Sequence, residues 1–103
     1  MEVAVSVIVP AYNAENFIAE CLQSIIDQDF DSFEVLVSDD KSTDGTALEI
    51  KKFEHYDNIF TYYQPKNLGI TNNANFLLER CKGKYICFFA GDDVMLQGKI
   101  SKQ

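Results

Sequence analysis

The sequence predicts an α/β fold, a Rossmann-like parallel sheet with alternating strands and helices, and three observations carry that prediction. Four short runs rich in β-branched and aromatic residues are separated by three segments whose apolar residues recur at three- and four-residue spacing. The connections are short, so the order β-α-β-α-β-α-β closes by right-handed crossovers. The last run, Tyr85-Ile86-Cys87-Phe88-Phe89-Ala90, is apolar throughout, as in a parallel strand covered on both faces, and it leads into Gly91-Asp92-Asp93.

Val3-Ala4-Val5-Ser6-Val7-Ile8-Val9 reads as the first buried strand, ended by Pro10. Ala11-Tyr12-Asn13 forms a loop, with Asn13 placed to cap the following helix. Phe17, Ile18, Cys21, Leu22, Ile25 and Ile26 then form one apolar stripe. The second strand, Phe33-Glu34-Val35-Leu36-Val37, runs into Ser38-Asp39-Asp40, and the hydroxyls of Ser42 and Thr43 can cap a helix from Thr46 to about Phe53. Asp44 suits the first turn of that helix, where the dipole favours an acid.

Ile59-Phe60-Thr61-Tyr62-Tyr63-Gln64 is a third strand whose aromatic, alternating character places it near an edge, and Pro65 stops it. After the turn Lys66-Asn67-Leu68-Gly69, the residues Ile70, Ala74, Leu77, Leu78 and Cys81 mark a third helix, which Lys82-Gly83-Lys84 ends by the glycine route. His55 falls in a polar break and reads as a surface histidine.

Composition narrows the function classes. The 103 residues form one domain, large enough for a core but small for an enzyme with separate donor and acceptor sites. With 47% hydrophobic and 13% aromatic residues the chain is not disordered. No apolar stretch reaches the length of a membrane span, and the N-terminus lacks signal-peptide features, so the expected location is cytoplasmic, with membrane association left to the full-length protein. Cys21, Cys81 and Cys87 are odd in number, lack metal-type spacing and read as buried thiols of a reducing compartment. A net charge of −7 with scattered basic residues argues against nucleic acid as a partner. The absence of a G-x-G-x-x-G loop after the first strand disfavours classical dinucleotide binding.

In open α/β sheets ligands bind outside the carboxyl ends of the strands. Three loops converge there: Pro10-Ala11-Tyr12-Asn13, Ser38-Asp39-Asp40-Lys41-Ser42 and Gly91-Asp92-Asp93. The Tyr12 ring can stack on a planar base, and the Asp40 carboxylate can accept from a ring N–H such as that of uracil. Asp92 can accept from ribose hydroxyls, and Asp93 can ligate Mg²⁺ or Mn²⁺, which take oxygen ligands and bridge to phosphates.

The segments Val5–Asn13, Ser38–Thr46, Asn67–Ile70 and Gly83–Asp93 together resemble, in order and spacing, the N-terminal half of the large GT-A family of inverting glycosyltransferases, the family 2 type. The resemblance implies a nucleotide-diphospho-sugar donor, UDP-linked in most members, a divalent Mn²⁺ or Mg²⁺, and a carbohydrate or lipid-linked acceptor in cell-surface glycan synthesis. By position, Tyr12 stacks on the base, Asp40 bonds its ring nitrogen, Asp92 contacts ribose or metal, and Asp93 ligates the metal. Pro10, Ala11 and Asn13 shape the nucleotide pocket, with Asn67 and Gly69 near it. Two departures stand out: Ala90 replaces the first acid of the D-x-D-type motif, and Ala74 replaces an arginine common before the asparagine matched by Asn75.

In the family the acceptor hydroxyl attacks the anomeric carbon with inversion, assisted by a carboxylate base in the acceptor half. That base is expected beyond Gln103, so residues 1–103 read as a single truncated donor-binding domain, inactive alone. Two other classes fit less well. A receiver-type signalling domain needs a lysine after a later strand, and Lys99 follows none; a non-catalytic nucleotide-binding or interaction module would keep the fold without the chemistry.

Overall fold

The computed structural model describes residues 5–28 and 32–89. Its elements are β1 (Val5–Ala11), α1 (Ile18–Ile26), β2 (Phe33–Asp39), α2 (Thr46–Lys51), β3 (Ile59–Tyr63), α3 (Ile70–Leu78) and β4 (Tyr85–Phe88). The strands form one parallel sheet in the order β3-β2-β1-β4, which puts the third strand at an edge as its alternation predicts. Alternate residues of β1 and β2 serve opposite faces. Val7, Val9, Val35 and Val37 pack under α1 and α2 with Ile18, Leu22, Ile25 and Ile50, whereas Ile8 and Leu36 pack under α3 with Ala74 and Leu77. On the α3 side Tyr62 meets Phe76 edge-on, with ring centroids 5.2 Å apart.

The first strand continues through Pro10 instead of ending there. Pro10 pairs with Ser38 and Ala11 with Asp39. The Ala11 carbonyl accepts from Asp40 N–H on the β2 side and the Ile8 carbonyl from Phe89 N–H on the β4 side. Alternation therefore turns the Pro10 nitrogen toward β4, past the last pair Ile8–Phe88, and the β1–β2 ladder loses no bond.

Asn13 does not cap α1, which starts five residues later, at Ile18, without a side-chain cap. It takes a left-handed conformation (φ 49°), which asparagine tolerates, and laces the first loop to the second. Its N–H donates to the Ser42 hydroxyl at 2.8 Å and its Oδ1 accepts from Thr43 N–H at 2.9 Å. Ala14 N–H donates to the Thr46 hydroxyl at 2.7 Å. The expected hydroxyl cap of α2 is likewise replaced: Asp44 Oδ1 accepts from Thr46 N–H at 2.9 Å and from its hydroxyl, while Glu15 N–H reaches Asp44 Oδ2. Regular α2 ends at Lys51, with turns carrying the chain on past Phe53.

Glycine 83 does not end α3, which stops at Leu78. Its smallness serves a close approach, because a Cβ there would lie 2.6 Å from the Ser6 nitrogen and 2.7 Å from the Val5 carbonyl carbon. Beneath it lies a buried polar knot. Ser6 donates to Glu34 Oε2 at 2.6 Å, Lys82 N–H donates to the same oxygen at 2.8 Å, and Gly83 N–H donates to the Ser6 hydroxyl at 2.8 Å. The same burial, with Glu34 nearby, pushes the partly buried Cys81 thiol up.

The fourth strand is covered on one face only. Cys87 and Phe89 are buried on the α1 side, but Tyr85, Ile86 and Phe88 are exposed, Phe88 by 53%. β4 lies at the sheet edge and α3 packs mainly over β1 and β2, so Ile86 and Phe88, on the second face of β4, stay about half exposed among the described residues.

Two measurements test these contacts. Gly83→Ala must push backbone apart and should lower the unfolding free energy by about 1–3 kcal/mol, read from denaturant midpoints. For Asp44, partial burial pushes the carboxyl up, but the hydrogen bonds from the Thr46 hydroxyl and N–H and from Glu15 N–H outweigh it, so the folded value lies below 3.8. A carboxyl depressed on folding contributes stability that is fully present above its unfolded value and is lost as pH falls through its folded value. The stability gap between wild type and Asp44→Asn should therefore be constant at neutral pH and shrink in acid below 3.8; a gap independent of pH would contradict the assignment.

Candidate functional site

The lacing of the first two loops leaves a cavity of about 500 Å³ at the carboxyl edge of the sheet. Pro10 and Ala11, the last residues of β1, form its back. Tyr12, Asn13, Ala14 and Phe17 line it from the loop into α1, and Asp40 lines it from the end of β2. Asn67, Gly69, Ile70 and Asn73 close it from the turn into α3. The volume falls in the range of small-molecule sites, and the mix of apolar wall with a few polar groups is typical of them.

The structure brings seven sequence-predicted residues, Pro10, Ala11, Tyr12, Asn13, Asp40, Asn67 and Gly69, into the wall of this one cavity. Asp92 and Asp93 lie outside the described residues, as do Ala90 and Gly91. Phe89, whose N–H bonds the Ile8 carbonyl, is the last described residue before them and directly follows the strand that flanks β1. Among the described residues no three His, Cys, Asp or Glu side chains cluster to hold a metal ion.

Two aromatic rings stand open at the mouth. Tyr12 is 50% exposed and Phe17 48% exposed, so both offer a face to a planar ligand without unpacking the core. Asp40 is the opposite case, buried to 2% exposure. Leu68 N–H donates to its Oδ1 at 2.6 Å and Gly69 N–H to its Oδ2 at 2.9 Å. Its neighbour Asp39 accepts from Ser42 N–H at 3.2 Å through Oδ2, and the buried Oδ1 makes no hydrogen bond among the described residues.

Ala14, Phe17, Ile70 and Asn73 are wall residues that the sequence reading did not single out. Phe17 was counted in the α1 stripe, and its place just after the Tyr12-Asn13 loop is the signal that separates it from that stripe. Asn73 is a buried polar residue four positions before the core residue Leu77, an asparagine on an otherwise apolar line. Its Nδ2 donates to the Ser38 carbonyl at 3.0 Å, and its Oδ1 makes no hydrogen bond among the described residues.

Comparison with known proteins agrees with the fold. TuaG of Bacillus subtilis, a glycosyltransferase assigned to teichuronic acid biosynthesis, is 38% identical over 100 residues, covering 96% of this chain and 40% of TuaG. The crystal structure of S. aureus TarS 1-349 in complex with UDP-GlcNAc is similar over 96% of this chain and 29% of its own, with a TM-score of 0.88 and 34% identity. The mannosyltransferase PcManGT from Pyrobaculum calidifontis, in complex with GDP-Man and Mn²⁺, is similar over 98% of this chain and 31% of its own, with a TM-score of 0.87 and 27% identity. The chain thus spans two-fifths or less of the length of these proteins. Residues 6–103 match the profile described as Glycosyl transferase family 2, and the chain belongs to that family.

Proposed function

We propose that residues 1–103 are the donor-binding portion of a longer glycosyltransferase, a hexosyltransferase that moves a sugar from a nucleoside-diphosphate donor, UDP-linked, to an acceptor hydroxyl with inversion. The observation that carries the reading is the single cavity in which Pro10, Ala11, Tyr12, Asn13, Asp40, Asn67 and Gly69 meet. In it the Tyr12 face stacks on the base, and the Asn67–Gly69 turn and Asp40 bound the base edge. TarS in complex with UDP-GlcNAc favours uridine, being the more similar of the two nucleotide-bearing structures at 34% against 27% identity. The teichuronic acid role of TuaG favours an acceptor that is a growing carbohydrate chain or its lipid-linked precursor, in cell-surface polysaccharide synthesis.

The metal reading rests on the donor set. Asp92 and Asp93 supply carboxylate oxygens, which suit Mg²⁺ and Mn²⁺, and a divalent ion held there offsets the charge of the diphosphate. No Lys or Arg lines the cavity, so the described wall itself offers no cation for that charge. The carboxylate base belongs to the acceptor half, outside these residues, so the portion is inactive alone. The half-exposed face of β4 at Phe88, continuous with Ile70 and Leu78 of α3, fits a domain whose remaining part packs there. No described helix is long and apolar enough to cross a membrane, in keeping with a cytoplasmic catalytic domain whose membrane association, where present, comes from elsewhere in the protein.

Calorimetric titration of UDP with and without Mn²⁺ tests the site. UDP should bind more tightly with the metal, and GDP more weakly than UDP. Tyr12→Ala should cost about 1–3 kcal/mol of binding, the worth of one base–aromatic stack, with or without metal. Asp93→Ala should remove the dependence on Mn²⁺ and leave the metal-free affinity in place. A folded chain whose UDP affinity ignores Tyr12 would overturn the base-stacking assignment.

A further inference from the structure

The start of α1 breaks a local rule. Phe17 is the N-cap residue of the helix, the position where Ser, Thr, Asp or Asn would satisfy an orphan N–H, and α1 begins without a side-chain cap. Its backbone is nevertheless fixed: Phe17 N–H donates to the Ala14 carbonyl at 2.9 Å, and its own carbonyl accepts from Cys21 N–H at 2.9 Å. An aromatic residue here gives up a cap without joining the core. Ile18, Cys21, Leu22 and Ile25 carry the packing of α1 at 0% exposure, whereas Phe17 is 48% exposed and makes no ring contact among the described residues. What it does line is the cavity, whose wall it shares with Tyr12.

We infer that Phe17 is a second base-binding residue, whose ring packs against the nucleobase beside Tyr12. The inference rests on the nucleotide-pocket reading and adds to it a residue from α1. A single exposed apolar side chain needs no explanation. Here a forfeited cap, a ring without a partner and a place in the wall next to another half-exposed ring coincide, and local rules of this kind are broken mainly at functional sites. Aromatic groups meet offset or edge-on with centroids about 4.5–7 Å apart, so two rings on one wall serve one base without forming a parallel sandwich. Unlike Tyr12, Phe17 has no hydroxyl, and a diphosphate gains nothing from a ring that has no hydrogen-bonding atom. Its whole contribution is an apolar aromatic surface, which a flat base covers and removes from water.

Phe17→Ser separates a ligand contact from a packing role, because serine is a preferred cap. The variant should unfold at an equal or higher denaturant midpoint than the wild type and bind UDP on the order of 5- to 100-fold more weakly, the worth of one base–aromatic stack. Phe17→Tyr should bind as the wild type does, and Phe17→Leu, apolar but not planar, should lose most of what the serine variant loses. The factor should be the same for UMP, UDP and UDP-GlcNAc, since all three carry the base. A ring that only completes the α1 stripe gives the reverse, a lower midpoint and an unchanged UDP affinity in Phe17→Ser, and overturns the inference. A loss confined to UDP-GlcNAc places the ring against the sugar and also overturns it, as does full affinity in Phe17→Leu, which reduces the ring to apolar cover. UDP binding that depends on Tyr12 but ignores Phe17 overturns the Phe17 assignment alone; a folded wild type that binds no uridine nucleotide overturns the pocket reading and this assignment with it.

Discussion

The carboxyl ends of β1 and β2 are locked together by one backbone bond, Asp40 N–H to the Ala11 carbonyl at 2.8 Å, and every wall of the cavity hangs from that pair. Ala11 leads into Tyr12 and Asn13; Asp40 leads into the loop that Asn13 grips and holds, through its side chain, the turn before α3. Three loops far apart in sequence therefore share one anchor. The core beneath supplies the stiffness: Val7, Val9, Val35 and Val37 are fully buried, and a parallel ladder packed on both faces leaves these strand ends little freedom.

Two of the buried carboxylates, Glu34 and Asp40, stand at opposite edges of this sheet, and neither pairs with a cation among the described residues. Glu34 accepts from the Ser6 hydroxyl and Lys82 N–H at the amino edge, and Asp40 accepts from Leu68 and Gly69 N–H at the carboxyl edge. Burying a carboxylate is costly unless its oxygens are hydrogen-bonded, and backbone amides meet that need without the desolvation of a second charge. Each acid fixes a loop flanking α3 to the central strands. The helix is thereby held at both ends by hydrogen bonds, while Ala74 and Leu77 hold its middle by packing.

The fold was legible because it rests on periodicity, which single residues carry. The valine-rich runs gave the strands, the Ile18–Cys21–Leu22–Ile25 stripe gave α1, and short connections gave the parallel order. What escaped depends on neighbours that the sequence does not name. Pro10 reads as a stop until its nitrogen is known to face β4 beyond the last pair. Asn13 reads as a helix cap until Ser42 and Thr43 are known to lie beside it. Tyr85–Phe88 reads as doubly covered because its apolarity is the same whether the second cover comes from α3 or from elsewhere in the protein. At the site, loop residues beside strand ends could be picked out by type and position. Phe17 is harder to pick out, because the helical stripe assigns it to packing, and Asn73 lies off the predicted stripe with only its type to mark it.

The charge of the site argues for a division of labour between strands. The described wall of the cavity offers aromatic faces, backbone amides and asparagine side chains, groups suited to a base and a ribose. It holds no Lys or Arg, its one carboxylate adds negative charge, and the whole chain carries a net charge of −7. A diphosphate entering such a field meets repulsion, and hydrogen bonds from neutral groups offset only part of it. In the proposed reading the compensating charge comes from a divalent ion, for which the Asp92-Asp93 pair that follows β4 in sequence supplies carboxylate oxygens. In that reading β1, β2 and the turn before α3 would select the nucleoside, and a cation held by the acids after β4 would offset the charge of its phosphates. Acidity that would exclude a phosphate-bearing ligand from the cavity alone becomes the means of binding it once a cation joins the two.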